Sequence, residues 1–164
     1  MTLDSIEAKI GSPAPDFKLP ATNGREIALT DFRGKKNVIV FFIRETTCWQ
    51  CRTHVAHLGR MYDQFREAGA EVIVILGEGD QKAREYAEGI GLPFPILCDP
   101  DRVVYHLYEL EKYFLLFQRT ASLVVDKDGV VRYLKRTTIP NVWLQESREL
   151  YGFVLSLQED RPIV

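Results

Sequence analysis

The chain has 164 residues, with 21 Lys and Arg against 23 Asp and Glu, for a formal net charge of −2. That length suits one ordinary globular domain, expected over residues 1–164, burying roughly 70% of the unfolded chain's surface without a metal or disulfide staple. With 46% hydrophobic and 27% charged residues, disorder is excluded; the near-neutral charge gives no electrostatic reason to expect nucleic acid or an anionic membrane as partner.

The apolar runs Val38 to Ile43 and Val72 to Leu76 fall far short of the ~18 to 20 residues that span a bilayer. The first residues, Met-Thr-Leu-Asp-Ser-Ile-Glu, carry acids early and lack the apolar core of a signal peptide. A cytoplasmic, reducing location is therefore expected. Three cysteines are too few for a disulfide scaffold, and in that compartment closely spaced cysteines are more often catalytic or metal-binding than structural.

In chain order, Phe17-Lys-Leu19 and Glu26-Ile-Ala-Leu29 flank a turn at Asn23-Gly24 and predict a small hairpin. Val38-Ile-Val-Phe-Phe-Ile43 lacks polar alternation and predicts a strand buried on both faces. Cys51, Val55, Leu58, Tyr62 and Phe65 then recur at intervals of 4, 3, 4 and 3, the stripe of one amphipathic helix stopped by Gly69. A second buried strand follows at Glu71 to Leu76, and Ala83, Tyr86, Ala87 and Ile90 mark a second helix ended at Gly91. Phe94 to Leu97 is a short third strand. Asp99 is positioned to cap a helix with Pro100 in its first turn and Val103, Val104 and Leu107 on its buried face. Leu123 to Val125 and Val130 to Tyr133, joined by Asp126-Lys-Asp-Gly129, predict another hairpin. Trp143, Leu150, Val154 and Leu157 predict a last helix that Asn141 caps. This alternation followed by a hairpin gives an α/β sandwich with a mixed central sheet.

The strongest chemical signal is Thr47-Cys48-Trp49-Gln50-Cys51, a Cys-x-x-Cys between a buried strand and an amphipathic helix. Unpaired N–H groups and the positive end of the dipole at a helix N-terminus favour a thiolate. Cys48 precedes the helix and should be the more exposed, while Cys51 opens the apolar stripe. Simple thiol-disulfide exchange then uses Cys48 as attacker and Cys51 as resolver. Cys48, Cys51, His54 and His57 also follow one another at intervals of three, but each step rotates by about −60°, so the set fans across half the helix rather than converging on a metal. The histidines are expected on a partly exposed face, with His54 an alternative proton-transfer group. Cys98 reads as packing, with a resolving thiol as the alternative. Arg44, Arg52 and Arg119 are candidate cations for a thiolate, Arg44 and Arg119 at strand ends that face one pocket. The aromatic stretch Tyr105, Tyr108, Tyr113, Phe114 and Phe117 is expected to cover the sheet, or to form a dimer or partner surface where exposed.

Taken together, Gly11-Ser-Pro-Ala-Pro-Asp-Phe17, Leu29-Thr-Asp-Phe-Arg-Gly-Lys35, the Cys-x-x-Cys region, Pro95-Ile-Leu-Cys-Asp-Pro100 and Leu123-Val-Val-Asp-Lys-Asp-Gly129 resemble the alkyl hydroperoxide reductase and thiol-specific antioxidant family, which includes peroxiredoxins. The resemblance implies a thioredoxin-like α/β fold, a central mixed β-sheet flanked by helices, with an N-terminal β-hairpin extension. The family motif Pro-x-x-x-Thr-x-x-Cys ends on the peroxidatic cysteine, which maps to Cys51; Arg44 occupies the proline position and Cys48 the threonine position. Arg119 loosely matches the family arginine before the final hairpin.

The resemblance thus implies a thiol-dependent antioxidant oxidoreductase that reduces peroxides through Cys48 and Cys51, supported by Arg44 and Arg119. It needs no cofactor or metal and takes electrons from an external thiol reductant such as a thioredoxin-like protein; a homodimer is one assembly the residues leave open. General thiol-disulfide exchange without peroxidase activity, and a non-catalytic redox-sensing or binding protein, are the alternatives.

Overall fold

Alternate residues of the run Val38 to Ile43 point into two different apolar clusters, and this period of two organises the molecule. The computed structural model describes residues 8–110, 119–137 and 146–159. Strand β3 (Asn37–Phe42) is buried along its whole length. It pairs in parallel with β4 (Ala70–Leu76), which pairs in parallel with β5 (Ile96–Cys98). On its other side β3 pairs antiparallel with β6 (Thr120–Val125), and β6 with β7 (Val131–Thr137), giving the order β5-β4-β3-β6-β7.

Ile39, Phe41 and Ile43 face the cluster built by α1 (Trp49–Arg60), α2 (Tyr62–Glu67), α3 (Asp80–Ile90) and α5 (Glu146–Glu159). Two parallel crossovers that step outward in the same direction must carry their helices on one face of the sheet, which places α1 and α3 side by side. Val38, Val40 and Phe42 face the opposite cluster, with Phe17, Leu19 and α4 (Val103–Leu107). The expected N-terminal hairpin is present as β1 (Lys18–Pro20) and β2 (Glu26–Ala28). It is tied to the sheet edge at β5, where the Ile96 N–H donates to Thr22 Oγ1 at 3.1 Å.

Two helices differ from the reading of the sequence. The stripe from Cys51 to Phe65 is split into α1 and α2 at Met61 (φ −92°, ψ 3°), because α1 closes on the turn after α3 at Gly59, where a Cβ would meet Leu92 and Pro93 at 3.2 and 3.3 Å. The stripe survives the break, with Val55, Leu58 and Phe65 fully buried. In α4, Asp99 does cap, accepting from the backbone N–H groups of Val103, Val104 and Tyr105 at 3.1, 2.9 and 3.1 Å. Pro100 is not in the first turn, and Val103 (66%) and Leu107 (37%) are exposed. The chain passes through a left-handed residue at Arg102 (φ 56°), which turns the helix so that Val104, Tyr105 and Tyr108 take the buried face. Leu150 and Val154 of α5 are buried as expected, whereas Asn141, Trp143 and the stretch Tyr113 to Phe117 lie outside the described residues.

Because the buried Asp99 carboxylate satisfies three N–H groups at once, Asp99→Ala is expected to lower the unfolding free energy by about 2–4 kcal/mol. The measurement is a urea titration, with a lower midpoint at unchanged slope.

Candidate active site

The β3–β4 ladder ends where the Ile43 N–H donates to the Ile75 carbonyl at 2.9 Å. The hydroxyl of Tyr105 reaches the same place from α4, 2.5 Å from the Ile43 oxygen and 3.0 Å from that of Ile75, and so fixes the end of β3 from below. Beyond it the chain loops through Arg44 to Thr47 and enters α1 with Cys48 as N-cap, in extended geometry (φ −72°, ψ 100°).

Cys48 does what a serine or aspartate usually does at that position: its Sγ accepts from the Cys51 N–H at 3.3 Å, while its carbonyl accepts the first helical bond from Arg52 at 3.0 Å. The Cys48 thiol is partly exposed, and neither it nor the buried Cys51 is in a disulfide. Its pKa is lowered to about 6, first by a hydrogen bond from the Cys51 side chain, against the effect of burial, and further by the Cys51 N–H, the Arg44 charge and the Gln50 N–H. Cys51 is fully buried beside Phe41, Val55 and Leu58. Donating to Cys48 and lying out of water both push its pKa far up, opposed by the backbone N–H groups of Arg44 and Glu45. Two thiols in one turn thus differ sharply in acidity because one receives the hydrogen bonds and the other gives one.

The Arg44 side chain is largely covered, with Nε 3.6 Å from the Glu45 carboxylate. Arg119 Nη1 donates to the Glu109 carbonyl at 3.4 Å. The β3–β6 register pairs Phe42 with Ala121; continued two residues, it sets Arg119 across from Arg44 at the same end of the sheet. Arg52 goes elsewhere: its guanidinium stacks 5.5 Å over the Tyr86 ring on α3, since the next residue after Cys51 is turned by about 100° around the helix. His54 is also placed differently from expectation. It is 2% exposed, packs edge-on against Phe41 at 4.6 Å, and burial, with the charges of His57 and Lys135, lowers its pKa to about 3, so it stays neutral. Cys98 ends β5 in the core, and burial raises its pKa. Among the described residues, no group of three or more His, Cys, Asp or Glu is placed to hold a metal ion. Between the two thiols Trp49 stands out, 71% exposed.

Tyr86 and Tyr105 border this site, which the sequence does not announce. Tyr86 reads as one more apolar position in the α3 stripe, and Tyr105 is hidden in an aromatic run.

The chain is similar to known proteins in sequence and in fold. Peroxiredoxin Q of Sedum lineare is 32% identical over 132 residues, covering 79% of this chain and 70% of that protein. The thiol-disulfide oxidoreductase ResA of Geobacillus thermodenitrificans is 32% identical over 124 residues, covering 75% and 67%. In structure, a cysteine-to-serine mutant of Xylella fastidiosa PrxQ superposes with a TM-score of 0.83 at 11% identity, covering 93% of this chain and 98% of that one. Peroxidoxin BcpB of Mycobacterium tuberculosis gives 0.80 at 19% identity, over 95% and 100%. The fold is thioredoxin-like. The family model for AhpC/TSA matches residues 10–134; the chain belongs to the AhpC/TSA family and is a thiol-based oxidoreductase of peroxiredoxin type.

Proposed function

We propose that the protein reduces peroxides, with Cys48 as the attacking sulfur and Cys51 as its resolver. The observation that carries this is the N-cap position of Cys48, where hydrogen bonds from Cys51 and the Arg44 charge hold a partly exposed thiolate at neutral pH. The Cys48 thiolate attacks the outer peroxide oxygen; an S–O bond forms, the O–O bond breaks, and the alkoxide or hydroxide leaves with a proton from solvent. Sulfur is oxidised by two electrons and the peroxide is reduced by two. Cys51, its proton passed to solvent, then attacks the Cys48 sulfenic acid; the S–S bond forms, the S–O bond breaks, and the departing hydroxide takes a proton from solvent to become water. An external dithiol, such as a thioredoxin-like protein, returns both sulfurs to thiols by exchange. The cycle draws its electrons from that dithiol, a supply that the proposed cytoplasmic location would provide, and uses no cofactor.

Arg44 and Arg119 are cations that the strand register sets at the reacting end of the sheet. Arg44→Ala is expected to shift the pH midpoint of Cys48 alkylation upward and to slow alkylation at pH 6 about threefold. Arg119→Ala leaves that midpoint in place and slows only the attack on peroxide. The pH profile of iodoacetamide labelling, set beside peroxide stopped flow, separates the two.

A second reading, exchange with protein disulfides, is favoured by the exposed Trp49 beside Cys48, since an open indole suits a macromolecular partner. Reduced protein mixed with hydrogen peroxide and with an organic hydroperoxide, followed by stopped-flow thiol loss, tests the first reading; oxidation no faster than that of free cysteine refutes it. Reduction of an insulin-type disulfide under the same conditions would then favour exchange. A homodimer is the assembly proposed, with the exposed Val103 and Leu107 of α4 as apolar contacts; sedimentation of the purified chain at micromolar concentration tests it.

A further inference from the structure

Tyr86 stands on α3 in the same apolar cluster as Cys51, with Cys48 packed against that cluster. The residue is 3% exposed, and the Arg52 guanidinium lies over its ring. Its hydroxyl is buried and, among the described residues, finds no hydrogen-bond partner. The tyrosines of α4 and its C-cap do not share this condition: Tyr105 reaches the Ile43 and Ile75 carbonyls, and Tyr108 that of Pro15 at 2.5 Å. A buried donor left unmade costs free energy that a phenylalanine in the same space avoids. Burial first, then the charges of Cys51 and Cys48 against that of Arg52, hold the Tyr86 hydroxyl as a neutral phenol, still a donor throughout the neutral range.

We propose that the Tyr86 hydroxyl donates a hydrogen bond to Cys51 when that sulfur becomes a thiolate in the resolving step. In the reduced protein the Cys51 thiol gives its proton to a hydrogen bond with the Cys48 thiolate. Once Cys48 is a sulfenic acid, that anionic acceptor is gone, and Cys51 must pass its proton to solvent and ionise inside the core to attack. The Arg44 and Glu45 N–H groups already face its sulfur, and the phenol supplies a side-chain donor from the opposite helix. The S–S bond forms as the S–O bond breaks, the departing hydroxide takes a proton from solvent, and the phenol keeps its own. The inference rests on the reading that Cys48 attacks and Cys51 resolves. Among the described residues, the charged and titratable groups that act on this pair are Cys48 and Arg52 on α1, Arg44 after β3 and Tyr105 on α4.

The test is Tyr86→Phe, which keeps the ring. In stopped-flow Trp fluorescence with hydrogen peroxide, the first phase, attack by Cys48, should stay within twofold of wild type. The second, disulfide formation, should slow about tenfold and rise at higher pH, while the melting temperature is unchanged or raised. A second phase unchanged from pH 5 to 9, or both phases slowed equally, overturns the proposal. Absence of any attack phase in the wild type refutes the peroxidase reading instead. In that case site-resolved iodoacetamide labelling of Cys51 in Cys48→Ser decides: adding Tyr86→Phe should slow it about tenfold at pH 8, and no change overturns the hydrogen bond.

Discussion

Cys48→Ser is expected to lower the rate constant for reaction with hydrogen peroxide or iodoacetamide at pH 7 by a factor of about a thousand or more. With its pKa at about 6, Cys48 is roughly 90% thiolate at pH 7. Cys51 and Cys98 are both buried, and burial alone holds each thiol up even when Cys48 is gone, so neither replaces it. The wild-type rate should climb through about pH 6 and flatten above it, because the thiolate is the reacting form. The same shift has a consequence for folding. A thiol more acidic in the folded than in the unfolded state adds stability that is complete above the unfolded value near 9 and lost as pH falls through about 6. The reduced wild type should therefore gain stability relative to Cys48→Ser between pH 6 and 9, measured by urea unfolding under reducing conditions.

Cys51→Ser is expected to leave the first attack within a few-fold of wild type, since serine can still donate to Cys48, and to reduce steady-state turnover with a dithiol reductant about a hundredfold or more. A resolver one helical turn away acts at an effective concentration that no free thiol matches. Without it the Cys48 sulfenic acid persists and, in excess peroxide, passes to sulfinic acid. Intact-mass spectrometry should show the protein gaining one oxygen and then a second. Cys51→Ala, which removes the donor as well, should in addition shift the alkylation midpoint of Cys48 upward.

Much of this was legible in the residues themselves. The β-branched run before Arg44 and the stripe from Cys51 to Phe65 fixed the strand and helix on which the two thiols sit, and the change of period between them located the N-cap. The difference between the thiols was also readable, because Cys51 shares its spacing with Val55 and Leu58 while Cys48 does not. What periodicity could not give is rotation about an element's own axis. The left-handed turn at Arg102 reversed the exposure of Val103 and Leu107, and the closeness of α1 to the sheet drew His54 into the core. Nor could spacing say that Arg52 would leave the thiols for Tyr86, a contact between helices 34 positions apart in the chain. The family motif and the geometry also point to different first sulfurs. The motif aligns its peroxidatic cysteine with Cys51, yet the hydrogen bonds converge on Cys48, which stands where the motif has threonine.

That difference is what one measurement can decide. Cys48→Ser and Cys51→Ser, each reduced and then treated with a single equivalent of hydrogen peroxide in the presence of dimedone, are digested and mapped by mass spectrometry. The account predicts an adduct on Cys48 in the Cys51→Ser protein and almost none on Cys51 in the Cys48→Ser protein. A dimedone adduct on Cys51 when Cys48 is absent, formed as fast as wild-type oxidation, would contradict it.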